Sequence, residues 1–267
     1  MSVRQFVRGQ IPWPRLEDVG RELARRYDQE RVRITFFDAD NWLSTPCVVN
    51  DRWFVKIISP QNALVHALFT GARNLGAFSS GTEGFFERFD DPVEMARHEL
   101  EATKRMHEIG LHAPDPVEAF EVEGLGVLVL EYLDGVTPLN QLSADTVEEL
   151  VPSLFEALAT MHDHDLVHGD FREENVLVRG GELYFIDATA VDEGAIAEAR
   201  AYDLASALAA LEPHVGAKVA VRGAAEYYPA SVLLEAVDFL DFVNIRPDHD
   251  FDAAAVKGEV STLAAES

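Results

Sequence analysis

The residues that carry chemistry are two acids, an amide and a lysine. Asp170 and Asn175 sit in VHGDFREENVLV, residues 167–178, where two short apolar runs bracket a polar loop. Asp187 closes a further apolar run in LYFIDATAV, residues 183–191. A tight strand–loop–strand hairpin would deliver these three groups together. They are what phosphoryl transfer needs. One carboxylate orients an attacking hydroxyl and accepts its proton, while a second carboxylate and an amide hold the magnesium ions that neutralise the β- and γ-phosphates. The alternative is a hairpin whose loop acids merely face solvent.

The paired motifs resemble the kinase catalytic loop H-R-D-x-x-x-x-N, with Gly169 in the arginine's place and IDA where D-F-G would stand. The wording is most similar to the RIO family of atypical kinases, and also similar to the aminoglycoside and lipopolysaccharide kinases. The resemblance covers about residues 31–245. It implies Asp170 as the catalytic carboxylate that accepts the proton, with Asn175 and Asp187 as ligands for Mg2+ or Mn2+. Arg172 falls where many kinases place a lysine that touches the transferring phosphate; a salt bridge to Glu173 or Glu174 is the competing reading. Asp203 resembles the buried acid that braces the catalytic loop in this superfamily.

Such groups need elements to position them. FVKII, residues 54–58, is an apolar strand interrupted by Lys56. A lysine there grips the α- and β-phosphates and pairs with a glutamate on the next helix; the bland alternative is a snorkelling lysine at a sheet edge. The helix is PVEMARHELEATKRMHEIG, opened by Asp91-Pro92, in which Ala96, Leu100, Thr103 and Met106 repeat with helical spacing and Gly110 is the cap. Glu99 and Glu101 both qualify, and counting back from Gly110 favours Glu99. Residues 59–92 form a long insertion of the kind the RIO family carries. NALVHALFT reads as an extra helix and GARNLGAFSSGTEG as a glycine-bearing loop. Its Ser79 and Ser80 stand where RIO-like enzymes are autophosphorylated, or simply on a surface loop.

Before Lys56, Leu16, Val19, Leu23 and Tyr27 make Pro14 to Glu30 an amphipathic helix. Arg31–Phe37, Cys47–Asn50 and Arg52–Ile58 read as strands, with Asn50-Asp51 as a hairpin turn. The segment FDADNWLSTPCVV, which should cover the phosphates, has no glycine to let the backbone approach them. Ser44 and Thr45 would supply hydroxyls and amides there, as the corresponding loops of RIO kinases do, while Asp38 and Asp40 repel phosphate. Val117–Val122 and Val127–Glu131 are two more strands. The second runs into YLDG, which resembles a kinase hinge whose backbone, Glu131 to Leu133, meets adenine.

Ser143 is an N-cap for the helix SADTVEELVPSLFEALATMHDHD, which Pro152 kinks or restarts. His162, His164 and His168 have poor spacing for zinc; the resemblance to kinase-like C-lobes implies that His162 closes the helix and His168 packs beneath the loop. Tyr202-Asp203-Leu204 begins the next helix, Pro229 to Val243 is the last amphipathic one, and the alanine- and acid-rich tail from Asp248 is a weak or frayed helix.

Composition sets bounds. With 267 residues, 48% hydrophobic and 26% charged, the chain can bury a large core. No signal peptide and no membrane span are expected, so the cytoplasm is the default location. The single cysteine excludes an internal disulfide framework. A net charge of −25 disfavours bulk nucleic acid and anionic membrane as partners. Dispersed acids with few lysines point to work in concentrated salt.

The expected fold is α+β and bilobal, protein-kinase-like, with an antiparallel N-lobe sheet and a reduced helical C-lobe. The expected boundaries are a helical extension at 1–30, an N-lobe at 31–133 and a C-lobe with an acidic tail at 134–267. The expected activity is that of an ATP- and Mg2+-dependent RIO-like serine/threonine kinase or ATPase. Alternatives are a small-molecule kinase of the aminoglycoside phosphotransferase kind and a nucleotide-binding pseudokinase. Its protein partner would belong to ribosome assembly or signalling.

Overall fold

The computed structural model describes residues 11–37, 44–63, 91–188, 195–245 and 250–266. The chain divides into two compact units. The first is Met1–Ala72, Arg88–Lys104 and Pro114–Asp134; the second is Arg73–Glu87, Arg105–Ala113 and Gly135–Ser267.

The first unit is built on a five-stranded antiparallel sheet. Its strands are β1 (Ile34–Phe36), β2 (Thr45–Val49), β3 (Trp53–Ile58), β4 (Pro116–Val122) and β5 (Leu125–Glu131), in the order β1-β2-β3-β5-β4. Asn50 and Asp51 join β2 to β3 with φ of 53° and 52°. Two adjacent left-handed residues make the primed turn that matches strand twist, and asparagine and aspartate tolerate it best after glycine.

Side chains alternate across a strand, so each face of the sheet has its own core. Trp53, Val55 and Ile57 of β3 join Leu125, Val127 and Val129 of β5 on one face. Helix α1 (Trp13–Arg26) covers that face with Val19 and Leu23, one turn apart and both buried. On the other face Ile58, Leu128 and Leu130 pack against Ala96 and Leu100 of α2 (Pro92–Glu108). Asp91 caps α2, its Oδ1 accepting from the N–H groups of Val93 at 2.7 Å and Glu94 at 2.9 Å. Gly110, at φ 82°, ends it, with Leu111 N–H returning to the Met106 carbonyl at 2.9 Å. Helix and sheet meet closely at Gly126, where a Cβ would fall 2.0 Å from the Pro92 carbonyl oxygen. Residues 60–63 are helical, which is as far as the expected NALVHALFT helix enters the described residues. Ser79, Ser80, Asp38 and Asp40 lie outside them.

The second unit carries a small sheet, β6 (Thr137–Pro138), β7 (Val176–Arg179) and β8 (Glu182–Phe185), paired in that order. Its helices are α3 (Ala144–Asp163), α4 (Ile196–Ala225), α5 (Ala230–Ile245) and α6 (Ala253–Glu266). Ser143 caps α3 by accepting from Thr146 N–H at 3.3 Å, and the helix runs unbroken through Pro152. Helix α4 starts six residues before Tyr202, at Ile196, correcting the expected start. Small alanines fill that first stretch and conceal it. About two thirds of the way along, α4 kinks at Gly216 (φ 77°, ψ 155°), three residues after Pro213. Helix α5 is not the last one. The tail, expected as a weak or frayed helix, is helical as α6, and Ala253, Val256 and Val260 share a stripe that is buried. Among the described residues no helix is long and apolar enough to cross a membrane.

Candidate active site

In the first unit, strand and helix periodicity together determine where Lys56 goes. Its neighbours Val55 and Ile57 face α1, so Lys56 falls with Ile58 on the α2 face. On α2, Ala96 and Leu100 fix the buried side, and Glu99 lies between them in helical phase. Lys56 Nζ meets Glu99 Oε1 at 2.5 Å, with the lysine side chain 6% exposed and the glutamate 17%. Glu101 points elsewhere and pairs with Lys104 at 3.5 Å on the surface. An ammonium this buried needs its carboxylate, because desolvation would otherwise favour the neutral amine.

Ser44 and Thr45 lead into β2 on the strand next to Lys56. Ser44 is buried, and Thr45 stands opposite Ile57 in the β2–β3 register. At the far end of β5, Glu131 N–H donates to the Asp115 carbonyl at 2.9 Å and Tyr132 N–H to the Arg52 carbonyl at 3.0 Å. Leu133 is buried just beyond them.

In the second unit the loop between Leu166 and Val176 is held from below. Asp203, fully buried on α4, accepts from His168 N–H at 2.5 Å and Gly169 N–H at 2.7 Å. Gly169 has φ 73°, a left-handed conformation that an arginine side chain would strain. The glycine of HGD thus has a backbone reason. Asn175 donates its amide to the Asp170 carbonyl oxygen at 2.9 Å and approaches the Asp170 carboxylate at 3.4 Å. Arg172 lies on the same carboxylate, with Nε and Nη2 each 3.1 Å from Oδ2. Glu173 takes His214 of α4 as its partner, Oε2 to Nε2 at 3.0 Å.

Asp187 follows β8 with φ 63°. A left-handed aspartate costs on the order of 1 kcal/mol and persists only where its surroundings impose it. Asn175, using its amide nitrogen on Asp170, keeps Oδ1 as an oxygen donor. Asn175 Oδ1 and the Asp187 carboxylate are both oxygen donors, the type that a hard divalent cation such as Mg2+ or Mn2+ would take. Among the described residues there is no group of three or more His, Cys, Asp and Glu of the kind that forms a zinc centre.

His168 lies fully buried between Phe171 and Phe185, edge-on to both rings at 5.6 and 6.4 Å. Neither ring nitrogen makes a hydrogen bond of full geometry among the described residues, and the backbone of Ile186 is the polar main-chain group that acts on the ring. Burial pushes its pKa down, against the opposing pull of Asp203, Asp170 and Asp187. One contributor goes unread in the sequence: Tyr228, whose hydroxyl is 2.9 Å from His162 Nδ1. The two are 66 positions apart, and nothing in their spacing announces the contact.

The RIO domain family matches residues 91–198, a span that includes Glu99, the Asp170 loop and Asp187 but begins after Lys56. A probable bifunctional tRNA threonylcarbamoyladenosine biosynthesis protein of Methanothermobacter thermautotrophicus is 25% identical over 180 residues, 66% of this chain and 27% of that protein. The KEOPS complex subunit Bud32 of Pyrococcus abyssi is 29% identical over 115 residues, 42% of this chain and 51% of its own length. The chain therefore matches about half or less of each of these relatives. Among solved structures, the aminoglycoside-3'-phosphotransferase of type VIII has a TM-score of 0.52 at 17% identity, covering 86% of this chain and 99% of that one. That likeness is one of fold, α+β and bilobal in the protein-kinase manner. Residues 91–198 are thus similar to the RIO domain family, and the chain as a whole shares the kinase-like fold.

Proposed function

We propose that the chain is an ATP-dependent phosphotransferase that moves the γ-phosphoryl group to a serine or threonine hydroxyl of a protein, or to water. The observation that carries the reading is the buried Lys56–Glu99 ion pair at 2.5 Å. An apolar strand accepts a lysine and its acid only at a cost, which a phosphate-binding role explains. Lys56 grips the α- and β-phosphates, and Glu99 keeps the ammonium aimed. Ser44 and Thr45 offer hydroxyls to the phosphates. Adenine meets the backbone after β5. Because the N–H groups of Glu131 and Tyr132 are engaged by Asp115 and Arg52, Leu133 is the proposed donor there.

Asp170 orients the attacking hydroxyl and accepts its proton as the new O–P bond forms and the bond to the ADP oxygen breaks. Arg172 neutralises Asp170 at rest and turns to the transferred phosphate. Asn175 and Asp187 hold the divalent cation, which when bound neutralises charge on the β- and γ-phosphates.

A second reading takes its setting from the names of the relatives, a tRNA-modifying assembly of several proteins, in which this chain would pass the phosphoryl group to water as an ATPase. Measuring ADP release and phosphate transfer separately, with ATP and Mg2+ in molar KCl, divides the two. Phosphoprotein supports the kinase, ADP release alone the ATPase. Asp170→Ala should lower either rate at least about 100-fold with nucleotide binding kept. Nucleotide binding without any turnover in the unaltered protein would leave a scaffold and overturn both.

A further inference from the structure

Asp203 holds the catalytic loop, yet its own orientation is set by a longer chain of contacts. Its carboxylate can only accept hydrogen bonds. Oδ1 takes Gly169 N–H and Oδ2 takes His168 N–H, and His162 Nε2 stands 3.4 Å from the same Oδ2. That contact is attractive only when Nε2 carries a hydrogen. In a neutral imidazole Nδ1 is then bare and needs a donor. Tyr228 supplies one at 2.9 Å, with its ring edge-on to the imidazole at 5.7 Å. Tyr228, His162 and Asp203 are all buried, at 8%, 4% and 0% exposure, so no bulk water substitutes for a missing partner.

We propose that Tyr228 is a positioning residue for the Asp170 loop: its hydroxyl fixes the ring orientation and tautomer of His162, and so keeps the Asp203 carboxylate turned to the two backbone N–H groups. Tyr228 lies in the junction between α4 and α5, remote in sequence from every group assigned to chemistry. Without its hydroxyl, the imidazole would be free to turn and present a bare nitrogen to a carboxylate, a repulsive contact. Burial also pushes the Tyr228 pKa well up, which keeps the hydroxyl a donor throughout the neutral range.

The inference rests on the phosphotransferase reading for its kinetic arm alone; its exchange arm is independent of any activity. In Tyr228→Phe, amide hydrogen exchange at His168 and Gly169 should rise about tenfold, the worth of one buried hydrogen bond, with exchange in β2 and β3 unchanged. Turnover should fall by about the same factor at constant KM for ATP, because Lys56 and its strand are untouched. His162→Gln should produce the same exchange increase, and the double variant no more than either single change. Exchange at the wild-type rate in Tyr228→Phe, or effects that add in the double variant, would overturn the proposal. A loss of melting temperature with unaltered loop exchange would also overturn it, since that is what a merely packed tyrosine predicts. If the unaltered protein turns over no ATP, the phosphotransferase reading fails and the exchange result still decides the role of Tyr228.

Discussion

Lys56 and Glu99 each bring a charge into surroundings that would reject it alone. Removing one partner of a buried pair leaves the other uncompensated, at roughly 3–5 kcal/mol. Replacing both by apolar groups of similar size is close to neutral for stability. Glu99→Leu alone should therefore lower the urea midpoint strongly, and Lys56→Met with Glu99→Leu should restore most of it. The double variant should still bind ATP poorly. Recovery of stability without recovery of nucleotide affinity would show that the pair is kept for the phosphates.

His168 gives a second prediction at the same scale. Its folded-state pKa is lowered by burial, while the unfolded imidazole keeps its ordinary value near about 6.5. Below that value the unfolded chain takes up a proton that the folded one refuses. Its contribution to stability is thus fully present above pH about 6.5 and eroded as pH falls through it. Asp203, Asp170 and Asp187 pull the other way, which narrows the effect without reversing it. Urea titrations between pH 7.5 and 5.5 should show falling stability, and His168→Phe should flatten that slope.

At the scale of elements, the height of α2 above the sheet is set by Gly126. A Cβ there would lie 2.0 Å from the Pro92 carbonyl oxygen, a main-chain atom that cannot swing aside. Gly126→Ala should cost about 1–3 kcal/mol and shift the start of α2, and with it Glu99. Gly258→Ala on α6 is the control. Nothing lies within 4 Å of its Cβ, and alanine is the better helix former, so the melting temperature should hold or rise slightly.

The same elements show what a reader of the chain can and cannot find. One cation in an apolar strand, and an acid in phase with Ala96 and Leu100, are local patterns and legible. So are the Asn50-Asp51 turn and the caps at Asp91, Gly110 and Ser143, because each depends on a few adjacent residues. The start of α4 at Ile196 and the burial that holds α6 are not. Alanine stripes bury through neighbouring helices rather than through their own hydrophobicity, so their periodicity is faint. Tyr228 is illegible for a related reason: its partner comes from tertiary packing 66 positions away.

For the molecule as a whole the dominant fact is the net charge of −25. Self-repulsion among dispersed acids weakens the compact state, and salt screens it. The melting temperature should climb as KCl is raised from about 0.1 M, where the screening length is about 10 Å, towards molar concentrations. A maximum without added salt would reject the idea that this chain works in brine.

The burial of Lys56 then acquires another meaning. Exposed pairs such as Arg21–Glu17 and Lys104–Glu101 are bathed in mobile ions and fade as these accumulate. Lys56–Glu99, sealed between a helix and a strand, is shielded by protein instead. An ionic medium that calms the surface therefore leaves the nucleotide's proposed anchor as firm in brine as in dilute buffer.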